Sequence, residues 1–364
     1  MNELQSLDAP SLNAPVLVTG AAGFIGMHVS IALLRAGVDV VGVDLAGPGN
    51  LPILESLRRD RLREIERIAA SRDVPGAAGG IGRFTFRKLD IADPGFVAAL
   101  KATPFDRIVH LAAQAGVRYS IERPDVYVRS NLVGMANMLE LARQRQSSHF
   151  VFASSSSVYG GRNETPFKEP DRIDRPVSFY AATKVANEAM AASYSQLFKL
   201  PMTGLRFFTV YGPWGRPDMA PWLFTEAILK GQPIKVFGKG ELLRDFTYID
   251  DIVEGVCRVL RLPPRAGVQG DTSSVTSSSA PTAPFTVFNI GNNRPSTVNE
   301  FIVTLERLLD KTAIRNELPI QPGDVPVTCA SIDRLHAATG FTPVTPLATG
   351  LGAFCEWLRS YRGL

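Results

Sequence analysis

The stretch Pro15-Val16-Leu17-Val18-Thr19-Gly20-Ala21-Ala22-Gly23-Phe24-Ile25-Gly26 decides the reading of this chain. Its first half is a short apolar run, which predicts a buried strand. Glycines at the first, fourth and seventh places of a turn follow, and then a helical pattern to about Ala36. In that setting each glycine has a task. Gly20 permits the tight turn, Gly23 lets backbone approach a diphosphate, and Gly26 lets the helix lie against the strand. The first amides of a helix have no acceptor within it and sit at its positive end, so a diphosphate is held there. Gly20, Ala22, Gly23, Phe24, Ile25 and Gly26 are the expected cradle of a dinucleotide.

Working outward, Asp39–Asp44 reads as the next strand, closing on Asp44. A carboxylate at that place accepts hydrogen bonds from the adenosine ribose hydroxyls. It repels a 2′-phosphate, and Leu45-Ala46 supplies no arginine to receive one, so NAD is expected rather than NADP. Further strands are expected at Phe84–Leu89, Arg107–Leu111, His149–Ala153 and Met202–Phe207. Helices are expected around Pro94–Ala102, Pro124–Arg145 and Ser178–Leu200. This alternation predicts an α/β fold of Rossmann type, a doubly wound parallel sheet covered on both faces. Beyond about residue 208 the pattern is irregular. Strands at Ile234–Phe237 and Phe285–Ile290 mix with helices near Asp250–Leu260 and Thr297–Asp310. The expected organisation is a cofactor-binding domain over 1–200 and a smaller C-terminal α/β substrate-binding region over 201–364. Two stretches look inserted. Residues 48–80 contain a charge-rich helix, Leu51–Ser71, read as a solvated surface helix. Residues 263–284, rich in Ser, Thr, Pro, Ala and Gly, read as a mobile loop.

The 364 residues are 45% hydrophobic and 20% charged, an ordinary globular composition that excludes wholesale disorder. The net charge of +4 and the lack of a dense basic tract give no reason to expect nucleic acid. Cys257, Cys329 and Cys355 are far apart, so neither a disulfide framework nor a cysteine-based zinc site is expected, and no other metal is. Apolar runs are short and broken, and Met1–Pro15 lacks a basic head followed by an apolar core. A cytoplasmic protein with no membrane partner is the expectation.

Several strand ends carry chemistry. In Leu89-Asp90-Ile91, the carboxylate can reach the adenine amino group or cap the following helix. In His110-Leu111-Ala112-Ala113 small residues leave room for a cofactor, and His110 reads as a packed core histidine rather than an acid–base group. The decisive pair is Tyr180 and Lys184, four apart on one helix face, downstream of Ser154-Ser155-Ser156-Ser157-Val158-Tyr159-Gly160. An ammonium near the phenol favours phenolate, and so would a nicotinamide cation. Tyr180 then serves as general base toward a sugar hydroxyl, with a strand-end serine holding the same oxygen.

On these residues the chain resembles the extended short-chain dehydrogenase/reductase family, over roughly residues 14–345 without the two inserts. Within that family it is most similar to UDP-glucuronate 4-epimerases. The resemblance is carried by His110–Ser120 (H-L-A-A-Q-A-G-V-R-Y-S), Ala153–Gly160 (A-S-S-S-S-V-Y-G) and Tyr180–Lys184 (Y-A-A-T-K). The longest stretches are Leu205–Ala220 (L-R-F-F-T-V-Y-G-P-W-G-R-P-D-M-A) and Arg244–Asp251 (R-D-F-T-Y-I-D-D).

The resemblance implies a UDP-sugar substrate, bound NAD and a homodimer built on two helices, here Pro124–Arg145 and Ser178–Leu200. By position it makes Ser155, Tyr180 and Lys184 catalytic and puts Ser157 beside the sugar, with Ser156 a further neutral donor to the substrate. Thr209 stands where relatives using neutral sugars have Asn. Arg244 matches a diphosphate contact and Asp324 a ribose or uridine contact. C4 oxidation of a uronate yields a β-keto acid that loses CO2 readily, so the carboxylate must be held. Arg118 and Arg216 are the candidates to grip it, with Arg216 alternatively a structural partner of Asp218. A UDP-glucuronate decarboxylase is the nearest rival. Those enzymes carry T-S-E-V-Y-G at the strand end, whereas Ser156-Ser157-Val158-Tyr159 here lacks the carboxylate. A neutral UDP-hexose 4-epimerase and a non-catalytic NAD-binding regulator are more distant rivals.

Overall fold

The computed structural model describes residues 12–47, 53–71, 80–266, 283–321 and 323–363. Seven strands form one parallel sheet: β1 (Val16–Thr19), β2 (Val40–Asp44), β3 (Phe84–Lys88), β4 (Arg107–His110), β5 (His149–Ser155), β6 (Met202–Phe207) and β7 (Phe285–Ile290). They lie in the order β7-β6-β5-β4-β1-β2-β3. Strand order reverses at β1, between β2 and β4, and that crevice is where such sheets take ligands. Almost every side chain of β1, β4, β5 and β6 is buried, as expected for strands covered on both faces. Only β3, at the edge, alternates half-buried with exposed residues.

The helices that matter for the site are α1 (Phe24–Arg35), α2 (Ile53–Ala69), α3 (Phe179–Phe198) and α4 (Leu347–Arg362). Ser178 caps α3 by accepting from Ala181 N–H, which fixes where that helix starts and so the height of Tyr180. The rod at Pro124–Arg145 is continuous but not uniform: Val128–Val133 is a π-helical turn between two α-helical pieces. The Asn131 carbonyl in that turn accepts from Asn187 of α3, which locks the two helices together.

β6 and β7 belong to the main sheet, so the cofactor-binding layer draws on chain well beyond residue 200. The remaining C-terminal strands make small separate pairs. Thr209–Tyr211 runs parallel to Phe246–Tyr248, Pro233–Phe237 parallel to Ile314–Leu318, and Leu243–Arg244 antiparallel to Ser296–Thr297.

The charge-rich segment is a helix, but not a solvated one. One face of α2 buries Leu54, Leu57, Leu62, Ile65 and Ile68, and Arg61 goes in with them. Arginine at helical spacing looks like surface, yet this guanidinium finds backbone carbonyls below it. The stretches 48–52 and 72–79 on either side, and most of the expected mobile loop (267–282), lie outside the described residues.

Candidate active site

Between β1 and α1 the glycines are packed too closely for any side chain. A Cβ on Gly26 would stand 2.0 Å from the Gly20 carbonyl oxygen, and one on Gly23 2.8 Å from it. Gly20 itself has φ of +74°, and a Cβ there would meet Ala112 N at 2.8 Å. The loop Leu111–Ala113 after β4 is thus laid directly on the turn. No side chain caps the start of α1, leaving its first amides for a ligand. These features fit the diphosphate of NAD.

Asp44 lies at the end of β2 and accepts from Ala22 N–H (3.1 Å) and Ala46 N–H (2.8 Å). Burial raises its pKa, opposed by those bonds and by the charges of Arg58 and Arg61. The sequence places no arginine next to Asp44, yet α2 brings two of them near it. Asp90 has both oxygens engaged, one by Ala92 N–H (2.9 Å) and one by Arg129 (2.7 Å). It closes the turn after the strand and does not cap the next helix, Phe96–Ala99, whose N-cap is Gly95; Ile91 beside it is buried. His110 bonds the Thr19 hydroxyl at 2.7 Å, and burial pulls its pKa down to about 3, which keeps it a neutral core residue.

At the end of β5, Ser155 Oγ accepts from Ser157 N–H (3.2 Å) and lies 3.2 Å from the Ser157 hydroxyl. Ser156 and Ser157 open a short 3-10 turn and stay half-exposed beside it. Tyr180 reaches in from α3 beside Ser155. Burial raises its pKa, while the Ser155 hydroxyl and the charge of Arg216 pull it back. The Lys184 ammonium donates to the Ala153 carbonyl (2.8 Å) and burial lowers its pKa to about 8, while Arg216 is a second cation whose charge acts on the phenol.

The two arginines expected at one place are in two. Arg216 forks onto Asp218 (3.0 and 2.6 Å) and lies by Tyr180 and Tyr127. Gly116, at φ of +113°, makes the room: a Cβ there would stand 3.4 Å from Arg216 Nη2. Arg118 is exposed, lies over the Phe237 ring and pairs with Asp324 at 3.4 Å. Arg244 belongs to that second group, since Asp324 and Arg118 both act on its charge. Thr209, half-buried, begins the strand that leads to Arg216.

Two features escaped the sequence reading. One is the buried pair Arg206–Glu188 (2.8 Å), which also carries Ser154, Tyr159 and Asn289 beneath the serine turn. Glu188 lies one turn beyond Lys184, so the Tyr-Lys spacing extended by four residues was its signal. The other is Arg61, for which only the excess of arginine in α2 gave a hint.

A family model described as "NAD dependent epimerase/dehydratase family" matches residues 16–274. A probable UDP-glucuronate 4-epimerase of Rhizobium meliloti (strain 1021) is 45% identical over 347 residues, 95% of this chain and 97% of that one. The crystal structure of a UDP-glucuronic acid 4-epimerase from Bacillus cereus, in complex with UDP-glucuronic acid and NAD, superposes with a TM-score of 0.79. It is 31% identical and covers 95% of this chain and 99% of that one. A UDP-glucose 4-epimerase from Thermotoga maritima, solved with UDP-glucose, is 26% identical with a TM-score of 0.78, covering 96% and 99%. A glycine turn without side chains, a Tyr-Lys helix over a serine strand end and matches spanning nearly the whole chain agree: the chain belongs to the NAD dependent epimerase/dehydratase family.

Proposed function

We propose that the protein catalyses reversible, NAD-dependent C4 epimerisation of UDP-glucuronate, with UDP-galacturonate as the product. The observation that carries the reading is the convergence of Tyr180, Ser155 and the Arg216 guanidinium, with the Ser155 hydroxyl and the Arg216 charge both favouring the Tyr180 phenolate. Tyr180 takes the O4 proton and Ser155 steadies the same oxygen, while hydrogen leaves C4 with its electron pair and the carbonyl forms. NAD, when bound, accepts that hydride and returns it. The 4-keto sugar turns over in the site, the opposite face of C4 receives the hydride, and Tyr180 gives the proton back. Lys184 and the cradle of Gly20, Ala22, Gly23, Phe24, Ile25 and Gly26 hold the cofactor, with Asp44, Asp90, Ile91, Leu111, Ala112 and Ala113 around it.

The intermediate is a β-keto acid, and it keeps its CO2 only while its carboxylate is held out of line with the ketone. Arg216 is the grip, and a charge-assisted bond of this kind is worth about 1.5–3 kcal/mol. Ser156, Ser157 and Thr209 supply neutral donors. Arg118, Arg244 and Asp324 sit together at the nucleotide end and hold the UDP. The helix pair Pro124–Arg145 and α3 leaves Val128, Val133, Leu197 and Phe198 in solvent, the kind of face that two copies of the chain bury together.

The test is incubation with UDP-glucuronate carrying deuterium at C4. UDP-galacturonate with the label retained supports the reading. UDP-pentose as the main product would make the protein a decarboxylase, and conversion confined to UDP-glucose would make it a neutral-sugar enzyme. Loss of the label to solvent would remove the hydride cycle. Absence of any sugar-dependent signal would leave a cofactor-binding regulator.

A further inference from the structure

Pro213, Trp214 and Gly215 lead directly into Arg216, and all three of their carbonyls are taken by side chains from the cofactor half. His28 of α1 donates to Pro213 O at 3.0 Å. Arg61 of α2 donates through Nη2 to Trp214 O and to Gly215 O (3.3 Å). The same guanidinium donates through Nη1 to Ala22 O (3.2 Å), inside the dinucleotide turn. Arg61 is 2% exposed, and its Nε has no acceptor.

A cation placed so deep is costly unless it is used. Among the described residues no carboxylate bonds it: the negative charge that favours it most is that of Asp44, and burial lowers its pKa to about 9. Packing alone would be served by a methionine. What only arginine supplies is a rigid fork of several donors, able to bond two separate backbone segments from one point. The segment it holds needs holding. Trp214 has φ of +63°, a conformation that a residue with a side chain keeps only when its surroundings impose it.

We propose that Arg61 is a positioning residue that sets the Trp214–Arg216 turn in register with the dinucleotide turn, so that sugar carboxylate and cofactor are held at a fixed separation. This rests on the reading of Arg216 as the carboxylate grip. The inserted helix is thereby part of the machinery that keeps the cofactor in place during the reaction and the carboxylate out of line.

The experiment uses the full chain, as Arg61→Met and Arg61→Lys, with Tyr361→Phe as control. Tyr361 of α4 donates to Asp60, the neighbour of Arg61, and phenylalanine keeps the ring that packs on Trp214 (5.4 Å), so only the hydroxyl's hold on the same helix is lost. Release of NADH is followed by its fluorescence in the absence of sugar. Turnover, KM and the UDP-pentose fraction are measured with UDP-glucuronate. Arg61→Met is expected to release NADH faster and turn over more slowly, each by roughly ten- to hundredfold, with pentose appearing. Arg61→Lys keeps the charge, reaches fewer carbonyls and should fall between, which decides the matter if the methionine variant does not fold. Tyr361→Phe should stay within about twofold of wild type. Wild-type release and product ratio in the Arg61 variants would overturn the proposal, as would equal changes in Tyr361→Phe. If the wild-type protein ignores UDP-glucuronate, the functional reading fails while NADH release still decides the role of Arg61.

Discussion

The dinucleotide turn at Gly20–Gly26 and the substrate turn at Pro213–Arg216 stand against each other and are built in opposite ways. The first is made mainly of backbone on backbone: Gly20, Gly23 and Gly26 lie too close to main chain for any Cβ, and all three fall within seven residues, with Asp44 and Arg61 bonding Ala22 from outside. The second borrows its shape. His28 and Arg61 reach it across 185 and 153–154 residues of chain, and Trp214 adopts a backbone conformation that its own side chain disfavours. A turn of the first kind tolerates no added atom. One of the second kind changes by degrees, as its distant holders are altered.

The largest effect belongs to the first turn. Gly26→Ala puts a methyl group where only backbone can move aside. Overpacking of this sort costs about 1–3 kcal/mol, and more where main chain must shift. The variant should lose bound NAD and melt well below wild type, seen by cofactor content after purification and by calorimetry. Wild-type values for both would break the contrast.

In the second turn, Arg216→Lys keeps the charge but loses the planar fork. Turnover should fall roughly ten- to hundredfold while bound NAD is unchanged. UDP-pentose should appear beside the epimer, resolved by chromatography of the nucleotide sugars. An unaltered product would take the carboxylate away from Arg216. Gly116→Ala acts on the same guanidinium more gently, adding a methyl group at 3.4 Å and a disfavoured φ. KM for UDP-glucuronate should rise about tenfold or less, with the melting point a few degrees lower. A KM equal to wild type would show that Arg216 has slack.

A separate effect, common to both regions, is on acid stability. His28, His110 and His149 are held down to pKa values of about 4, 3 and 4, burial being the main cause for each. Histidines of the unfolded chain titrate near 6.5. Below that pH the unfolded state binds more protons, so stability is full above about 6.5 and declines as pH falls toward 4. Urea midpoints between about pH 7.5 and 5 should show the decline. His28→Asn should remove about one proton from its slope, and a flat wild-type profile would contradict the assignment.

The same contrast explains what could be read in advance. Gly20, Gly23 and Gly26, or Tyr180 and Lys184, lie within a turn or two of one another, so spacing alone places them together. A parallel sheet follows from the alternation of elements and needs no distant contact. Arg61 could not be read that way, because a charged residue on a charge-rich helix looks solvated until the backbone 153 residues away is known to lie beneath it. Arg118 and Arg216 look equivalent in sequence. Only the fold sends one to Asp324 and the other to Tyr180. The spacing of Tyr180 and Lys184 puts the ammonium on the phenol's face of α3, but it could not show that the Ala153 carbonyl near the end of β5 also holds it.

All three tryptophans of the chain gather at the seam between the two halves. Trp357 of α4 lies 5.3 Å from Trp214 and 5.4 Å from Trp222, ring centre to ring centre, with Tyr361 against all of them. The intrinsic emission of the protein therefore comes from one joint. A shift in the colour of the tryptophan emission when a nucleotide sugar arrives would report changed surroundings at that joint, with no dye attached.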